Sequence, residues 1–253
     1  MHRRTLDIIL YKTYAELKSE AQRTYIGLLW WILEPVLFMG IFYFVFAVLF
    51  QRGGENFVPF LLIGLVVWHW FQATIAQCST SILVNRPLIQ QVYVPKAVFP
   101  MVVILTNTIK FTVVYVLLLV FLGIYGFPPA WSWLLSLVPL LTMLALITGA
   151  SLLLAAVTPM VPDLRVLIEN LMRGLMFLSG IFFDIDQTGE PFRGWLHLNP
   201  LATVIADLRG VLMLGQNPDW WLQGVVVSGS LAVTAVGLLL IHQNESRYAK
   251  IVL

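Results

Sequence analysis

The sequence predicts an all-α integral membrane protein with six transmembrane helices, and three observations carry that prediction. Mean hydropathy is +0.87. Only 11% of the 253 residues are charged, where a soluble domain carries about 25%. Six apolar runs, 28–50, 57–77, 97–125, 133–157, 166–183 and 221–241, approach the ~20 helical residues that cross a bilayer. Backbone in lipid satisfies its own hydrogen bonds only in helices or closed barrels. The alternating ten-residue strands of a barrel are absent from the sequence, which leaves a helical bundle. The whole chain, 1–253, reads as a single transmembrane domain.

Residues 3–20 come first and predict an amphipathic helix at the membrane interface. Leu6, Ile9, Leu10, Thr13, Tyr14 and Leu17 recur at i, i+3, i+4 spacing, with Lys12, Glu16 and Lys18 off that face. Its cations suit anionic headgroups. It is either a plain anchor or a mechanical element. The first 27 residues hold five basic side chains, without the apolar core and cleavage site of a signal peptide.

The first run contains Glu34-Pro35. Proline removes a helical hydrogen bond and can kink the helix, and an intramembrane carboxylate is costly unless paired. Either the pair marks an interfacial bend with Glu34 reaching water, or it is functional. The run is crowded with aromatics, and Phe38, Phe42 and Phe46 repeat every four residues as one stripe. Such a stripe is core packing or the lining of a channel. His69, in the second run, reads as a core or pore residue in preference to a proton relay.

Between the second and third runs stands NRPLIQQVYVPKAVFP, residues 85–100. Asn85 is placed to cap a short helix, proline is tolerated in its first turn, and Pro95 ends it. That helix, 86–93, carries Leu88, Ile89, Val92 and Tyr93. A solvated turn has no need of four apolar groups. The helix either docks on a soluble partner or lies flat on the bilayer.

The remaining intramembrane charges are Lys110, Glu169 and Arg173. Lys110 is placed to pair with a carboxylate of another span or to line a channel. Glu169 and Arg173 share a helix face and can pair, or Arg173 can meet an anionic group. The segment 184–220 is long for a loop, and long loops are usually functional or disordered. Its apolar content argues against disorder. After Asn199-Pro200, residues Leu201, Val204, Ile205, Leu208, Val211 and Leu212 form one apolar helical face, suited to the outer leaflet.

Lysine and arginine set the orientation. Arg3, Arg4, Lys12, Lys18, Arg23, Arg86, Lys96, Arg165, Arg247 and Lys250 fall on one side, against Arg52, Arg193 and Arg209 on the other. The first side is therefore cytoplasmic, with both termini and the loops 78–96 and 158–165. The lone Cys78 allows no intrachain disulfide.

Three stretches together resemble a known family. TYIGLLWWILEP with its aromatic span, NRPLIQQVYVPKAVFP, and NPLATVIADLRGVLM before the last run are similar in order and spacing to the ABC-2 polysaccharide export permeases. The likeness covers nearly the whole chain and is greatest to the permeases of O-antigen exporters, beside those for capsule and teichoic acid. The resemblance implies a homodimer with six spans per subunit in the inner membrane, paired with two copies of a separate ABC ATPase. It implies an interface helix at the N-terminus and an ATPase-coupling helix over 84–94, carrying Asn85, Arg86, Leu88, Ile89, Val92 and Tyr93. It further implies outer re-entrant gate helices over 188–214 with Asn199, Pro200, Asp207 and Arg209. The implied substrate is a lipid-pyrophosphate-linked polysaccharide.

Missing motifs agree with that division of labour. The sequence has no GxxxxGK[ST], HExxH, CxxC or GxSxG. Its four histidines are too scattered to suggest a metal site. No cofactor is expected on this chain, ATP and magnesium belonging to the partner ATPase, and no nucleic acid is expected. Two other classes stay in view. A secondary transporter needs coupling-ion ligands and often an internal repeat. A polytopic membrane transferase needs polar residues clustered at one membrane face.

Overall fold

The computed structural model describes residues 2–22, 29–49, 56–161, 163–185, 188–189, 192–245 and 247–248. Among them it forms eleven α-helices and no strand. These are α1 (His2–Gln22), α2 (Trp30–Tyr43), α3 (Phe57–Val84), α4 (Arg86–Gln91), α5 (Val98–Tyr125), α6 (Ser132–Leu135), α7 (Leu137–Val157), α8 (Leu164–Leu178), α9 (Phe192–His197), α10 (Pro200–Leu214) and α11 (Trp220–Gln243). A π-helical stretch, Phe44–Leu49, continues α2.

Local chemistry places the breaks. Asn199 Oδ1 accepts from Leu201 N at 3.0 Å, and Pro200 opens α10 where its missing N–H costs nothing. Gly215, at φ 66°, closes the same helix in a left-handed conformation that glycine adopts without strain. Asp219 Oδ1 accepts from Leu222 N at 3.1 Å and starts α11. The residue before α4, Asn85, does not cap it through its side chain, in contrast to the sequence expectation. Its amide instead donates back to Ser81 O at 2.8 Å.

Among the described residues four helical stretches are long and apolar enough to cross a membrane: Phe57–Gln91, Val98–Tyr125, Ser132–Val157 and Trp220–Gln243. The expected fifth crossing is shorter. α8 has 15 residues before the chain turns at Ser179–Gly180, less than the ~20 of a straight crossing. The first is a shorter apolar helix extended by the π-helical stretch.

α3 is the central post. Its first part, 57–68, is apolar all round, as buried helices are, and Leu61, Leu62, Ile63, Leu65, Val67 and Trp68 are nearly inaccessible. α5, α7 and α10 close around it to form the main core. A second core lies at one end of the bundle. There Ile82, Val94, Val98, Phe99, Leu152, Ala156, Ile241 and Tyr248 meet.

α7 and α11 make the most extensive pairing in the bundle. Glycine permits it. A Cβ on Gly149 would lie 2.7 Å from Ser230 O, and one on Gly237 would lie 2.8 Å from Leu153 N. In lipid, where apolar burial drives little association, such close backbone packing holds helices together.

The connections gather at two ends. At the α4 end, the Tyr248 hydroxyl donates to Ala156 O at 2.8 Å, and the Glu245 carboxylate accepts from Tyr93 and from Lys96 N. At the α10 end, Trp133 Nε1 donates to Leu212 O at 3.2 Å.

Candidate functional site

The α4 corner comes first. α4 follows α3 after a break at Asn85. Leu88 and Ile89 turn inward, half-buried against the second core. Arg86, Gln90, Gln91, Val92 and Tyr93 are exposed. Helix α4 stops at Gln91, and Val92 is extended at φ −139°, ψ 141°. The expected helix 86–93 is therefore shorter, and its four apolar residues divide between the core and the surface. Tyr93 Oη lies 3.3 Å from Glu245 Oε2. The Glu245 carboxylate raises the Tyr93 pKa, because it disfavours a second negative charge beside it. Lys96 is buried and donates to Val94 O at 3.1 Å.

A half-open cleft runs between α1, α2, α3 and α5. Its inner cavity, about 360 Å³, is lined by Glu20, Trp31, Phe38, His69, Trp70, Gln77, Asn107 and Lys110 among others. A second cavity of about 270 Å³ lies beside it, lined by Lys12, Glu16, Asn85, Phe99 and Thr106. Glu20, Gln77 and Lys110 line both. Lys110 forms an ion pair with Glu20, and its ammonium lies 5.7 Å from the centroid of the Trp31 ring. Asn107 donates to Gln77 at 3.1 Å. Phe38 meets His69 edge-on at 4.8 Å, and Trp70 stacks on Phe111 at 4.0 Å.

Lys12 turns into the bundle, off the solvated face that periodicity assigned to it. It donates to Asn85 Oδ1 and sits 4.5 Å from the Phe99 ring centroid. Burial lowers its pKa, with Glu16 opposing that shift. The buried side of α1 runs through Ile9, Thr13 and Leu17, while Leu6, Leu10 and Tyr14 of the expected apolar face are exposed. The other predicted charges lie elsewhere. Glu169 pairs with Arg165 at 3.2 Å, not with Arg173 as expected, and all three are exposed. The side chains of Glu34, Phe42 and Phe46 lie outside the described residues, as do residues 24–28 of the first motif.

The α10 end holds the most deeply buried guanidinium described. Arg209 donates to Phe60 O at 2.9 Å, Gly180 O at 2.6 Å and Ile181 O at 2.8 Å. It lies 3.4 Å from the Phe60 ring centroid. Asp207, two residues earlier on α10, accepts from Asp219 N at 3.1 Å and from Gln223 Nε2 at 2.7 Å. Asn199 joins α10 to the end of α8 by donating to Leu178 O at 3.1 Å. Pro200 is exposed at the start of α10. All four expected gate residues thus act as joints of one folded segment.

Among the described residues no group of three His, Cys, Asp or Glu is placed to hold a metal. The arrangement is a helical membrane body with an exposed corner, an amphipathic cleft and a clasped far end. The sequence matches the ABC-2 type transporter family over residues 9–213. The chain belongs to the ABC-2 transporter family.

Relatives of this ABC-2 chain carry descriptive names. It is 26% identical over 247 residues to the O-antigen export system permease protein RfbA of Klebsiella pneumoniae, covering 97% of this chain and 95% of the relative. It is 26% identical over 235 residues to the protein of that name in Myxococcus xanthus, covering 91% and 87%. It is 24% identical over 235 residues to the polysialic acid transport protein KpsM of Escherichia coli, covering 91% and 90%.

Sequence reasoning missed several residues of this ABC-2 chain's cleft. Glu20, Gln77 and Asn107 were not singled out, although Gln77 and Asn107 interrupt apolar runs, which is itself a signal. Glu20 supplies the carboxylate for Lys110 from the amphipathic helix, not from another span. Gly64 gave no sequence signal, yet its missing side chain makes room for the Arg209 guanidinium.

Proposed function

We propose that this chain is the membrane permease subunit of an ABC exporter that moves a lipid-pyrophosphate-linked polysaccharide of the O-antigen class across the cytoplasmic membrane. What supports the reading is likeness along nearly the whole chain to permeases named for O-antigen export, within a family of transporters. The working unit is a homodimer joined to two copies of a separate ABC ATPase, which binds ATP and magnesium. Each subunit crosses the membrane six times, the short α2 and α8 completing the set by local thinning of the bilayer and by flanking residues that reach the interface. Both termini face the cytoplasm. The exposed corner at Arg86–Tyr93 is the ATPase-coupling surface, and the segment 188–214 is the outer re-entrant gate. Phe38, with Phe42 and Phe46, lines the glycan path, where flat aromatic faces pass sugars without holding any one tightly.

The test is reconstitution. The purified chain alone should hydrolyse no ATP, and a membrane complex with its cognate ABC ATPase should hydrolyse ATP and move lipid-linked glycan. Cells lacking this chain should lose surface polysaccharide and regain it on complementation. Full surface polysaccharide without the chain overturns the reading, as does ATP hydrolysis by the chain alone.

A further inference from the structure

Each cavity is a fragment of one path. Asn85 stands at the end of α3, with Gln77 about 12 Å and His69 about 24 Å further along it, from the 1.5 Å rise per residue. The path is polar at the α4 end and aromatic at the other. The Glu20–Lys110 pair stands where the cavities meet, because both residues line both. It is a partition between them.

Among the described residues the cleft's acidic and basic side chains are balanced. Lys12 and Lys110 face Glu16 and Glu20, with His69 at the inner end. A multiply charged anion would find two cations but also two carboxylates. A zwitterion is a better match, since it can exchange partners with an existing ion pair. A phosphodiester takes Lys110, and a tethered ammonium takes the carboxylate thereby released. Gln77 offers a further amide donor at the junction, beside the Asn107 bond it accepts. Beyond the pair the walls suit hydrocarbon, with Trp31, Phe38, Leu62, Val66 and Val114. A cavity of about 360 Å³ falls in the usual range of ligand sites, roughly 300–1,000 Å³.

We propose that the cleft between α1, α2, α3 and α5 is a binding site for a zwitterionic glycerophospholipid of the ethanolamine type. Its phosphate rests on Lys110, its ammonium on Glu20, and part of an acyl chain lies between Trp31, Phe38 and Val114. Entry of the lipid opens the partition and joins the two cavities, adding a contact between α1 and the bundle to those made through Lys12 and Thr13. The site is independent of the export reading, because it concerns a constituent of the bilayer and not the cargo.

Native mass spectrometry of the delipidated full chain tests this directly. The probes are dioleoylphosphatidylethanolamine, dioleoylphosphatidylglycerol and undecaprenyl diphosphate. Phosphatidylethanolamine should give a saturable adduct retained at least tenfold better than phosphatidylglycerol. Lys110→Gln should weaken that adduct about tenfold, the loss expected for a hydrogen bond to a charged group. Lys110→Arg should preserve it. Val114→Trp, which fills the apolar part, should abolish it without touching the headgroup contacts. Arg165→Gln removes an exposed cation outside the cleft and should change nothing. Equal retention of phosphatidylethanolamine and phosphatidylglycerol by the wild-type chain overturns the proposal, and that comparison needs no variant to fold. Preferential retention of undecaprenyl diphosphate also overturns it and assigns the cleft to a lipid diphosphate. Undiminished phosphatidylethanolamine binding by both Lys110→Gln and Val114→Trp overturns it too.

Discussion

Arg209 ties together three segments that are distant in sequence, through the carbonyls of Phe60, Gly180 and Ile181. Three of its five donors are thereby used. Position 64 has to be glycine for this, since a Cβ there would lie 2.5 Å from Nη2 of Arg209. Gly64→Ala should push the guanidinium off its seat and cost about 1.5–3 kcal/mol, the worth of one hydrogen bond to a charged group. For a chain of this size that is a fall of roughly 3–12 °C in unfolding temperature, read by thermal unfolding in detergent. Arg209→Ala should lower it as well, leaving carbonyls without their donor. The double variant should be little worse than Arg209→Ala alone, because both substitutions remove the same contact. Additive losses would show that Gly64 serves something other than this seat. Residues of this kind mark the limit of sequence reading. Arg209 entered the sequence reading through the family resemblance, but its acceptors are backbone atoms of other segments, to which side-chain patterns give no clue. Lys110 was legible as a charge needing a partner, whereas Glu20, ninety positions earlier, was not. Glu169 had a candidate cation four residues away in each direction, and periodicity alone could not choose Arg165 over Arg173.

At the level of elements, α4 and the two residues after it divide their apolar side chains between core and surface. Leu88 and Ile89 pack inward, and Val92 and Tyr93 remain outside with Gln90 and Gln91. Val92→Asp should therefore leave unfolding temperature unchanged and reduce recovery of the ATPase in a pull-down by tenfold or more, because an unpaired charge buried in a contact costs several kcal/mol. Leu88→Asp should lower both, since it also strikes the second core. If Val92→Asp recovers the ATPase normally, the exposed side of this corner is not the docking surface. Most helices here were legible. Long apolar runs give α3, α5, α7 and α11 their existence, and Asn199-Pro200 marks the start of α10. The face of α1 was harder. Its apolar positions follow one stripe, but Lys12 is drawn inward by Asn85 and Phe99, and Leu6 and Tyr14 are left outside. The pull of a tertiary partner outweighs the pattern there. α8 was read as a crossing from composition, which cannot see the turn at Gly180, φ 63°, that stops it.

At the scale of the molecule, the long apolar runs carried the all-helical architecture. Tyr93 and Lys96 of the loop 78–96 meet Glu245 after α11, and Tyr248 meets Ala156 in the last turn of α7, all at a single end of the bundle. The cleft was invisible because it is a product of four helices at once. One packing feature also has a temporal side. α7 presents a slot at Gly149, and the helix that fills it, α11, is made only after α8, α9 and α10. The segment 158–219 separates the two, so the slot stands empty for roughly 3–12 s at a synthesis rate of ~5–20 residues per second. During that interval the nascent chain offers bare helix backbone to lipid and to quality-control proteases. A polypeptide ending before Trp220 should be inserted and then cleared quickly, and co-synthesis of α11 as a separate peptide should extend its lifetime. Pulse-chase half-lives decide this: a truncated chain as long-lived as the intact one would mean that the slot needs no filler.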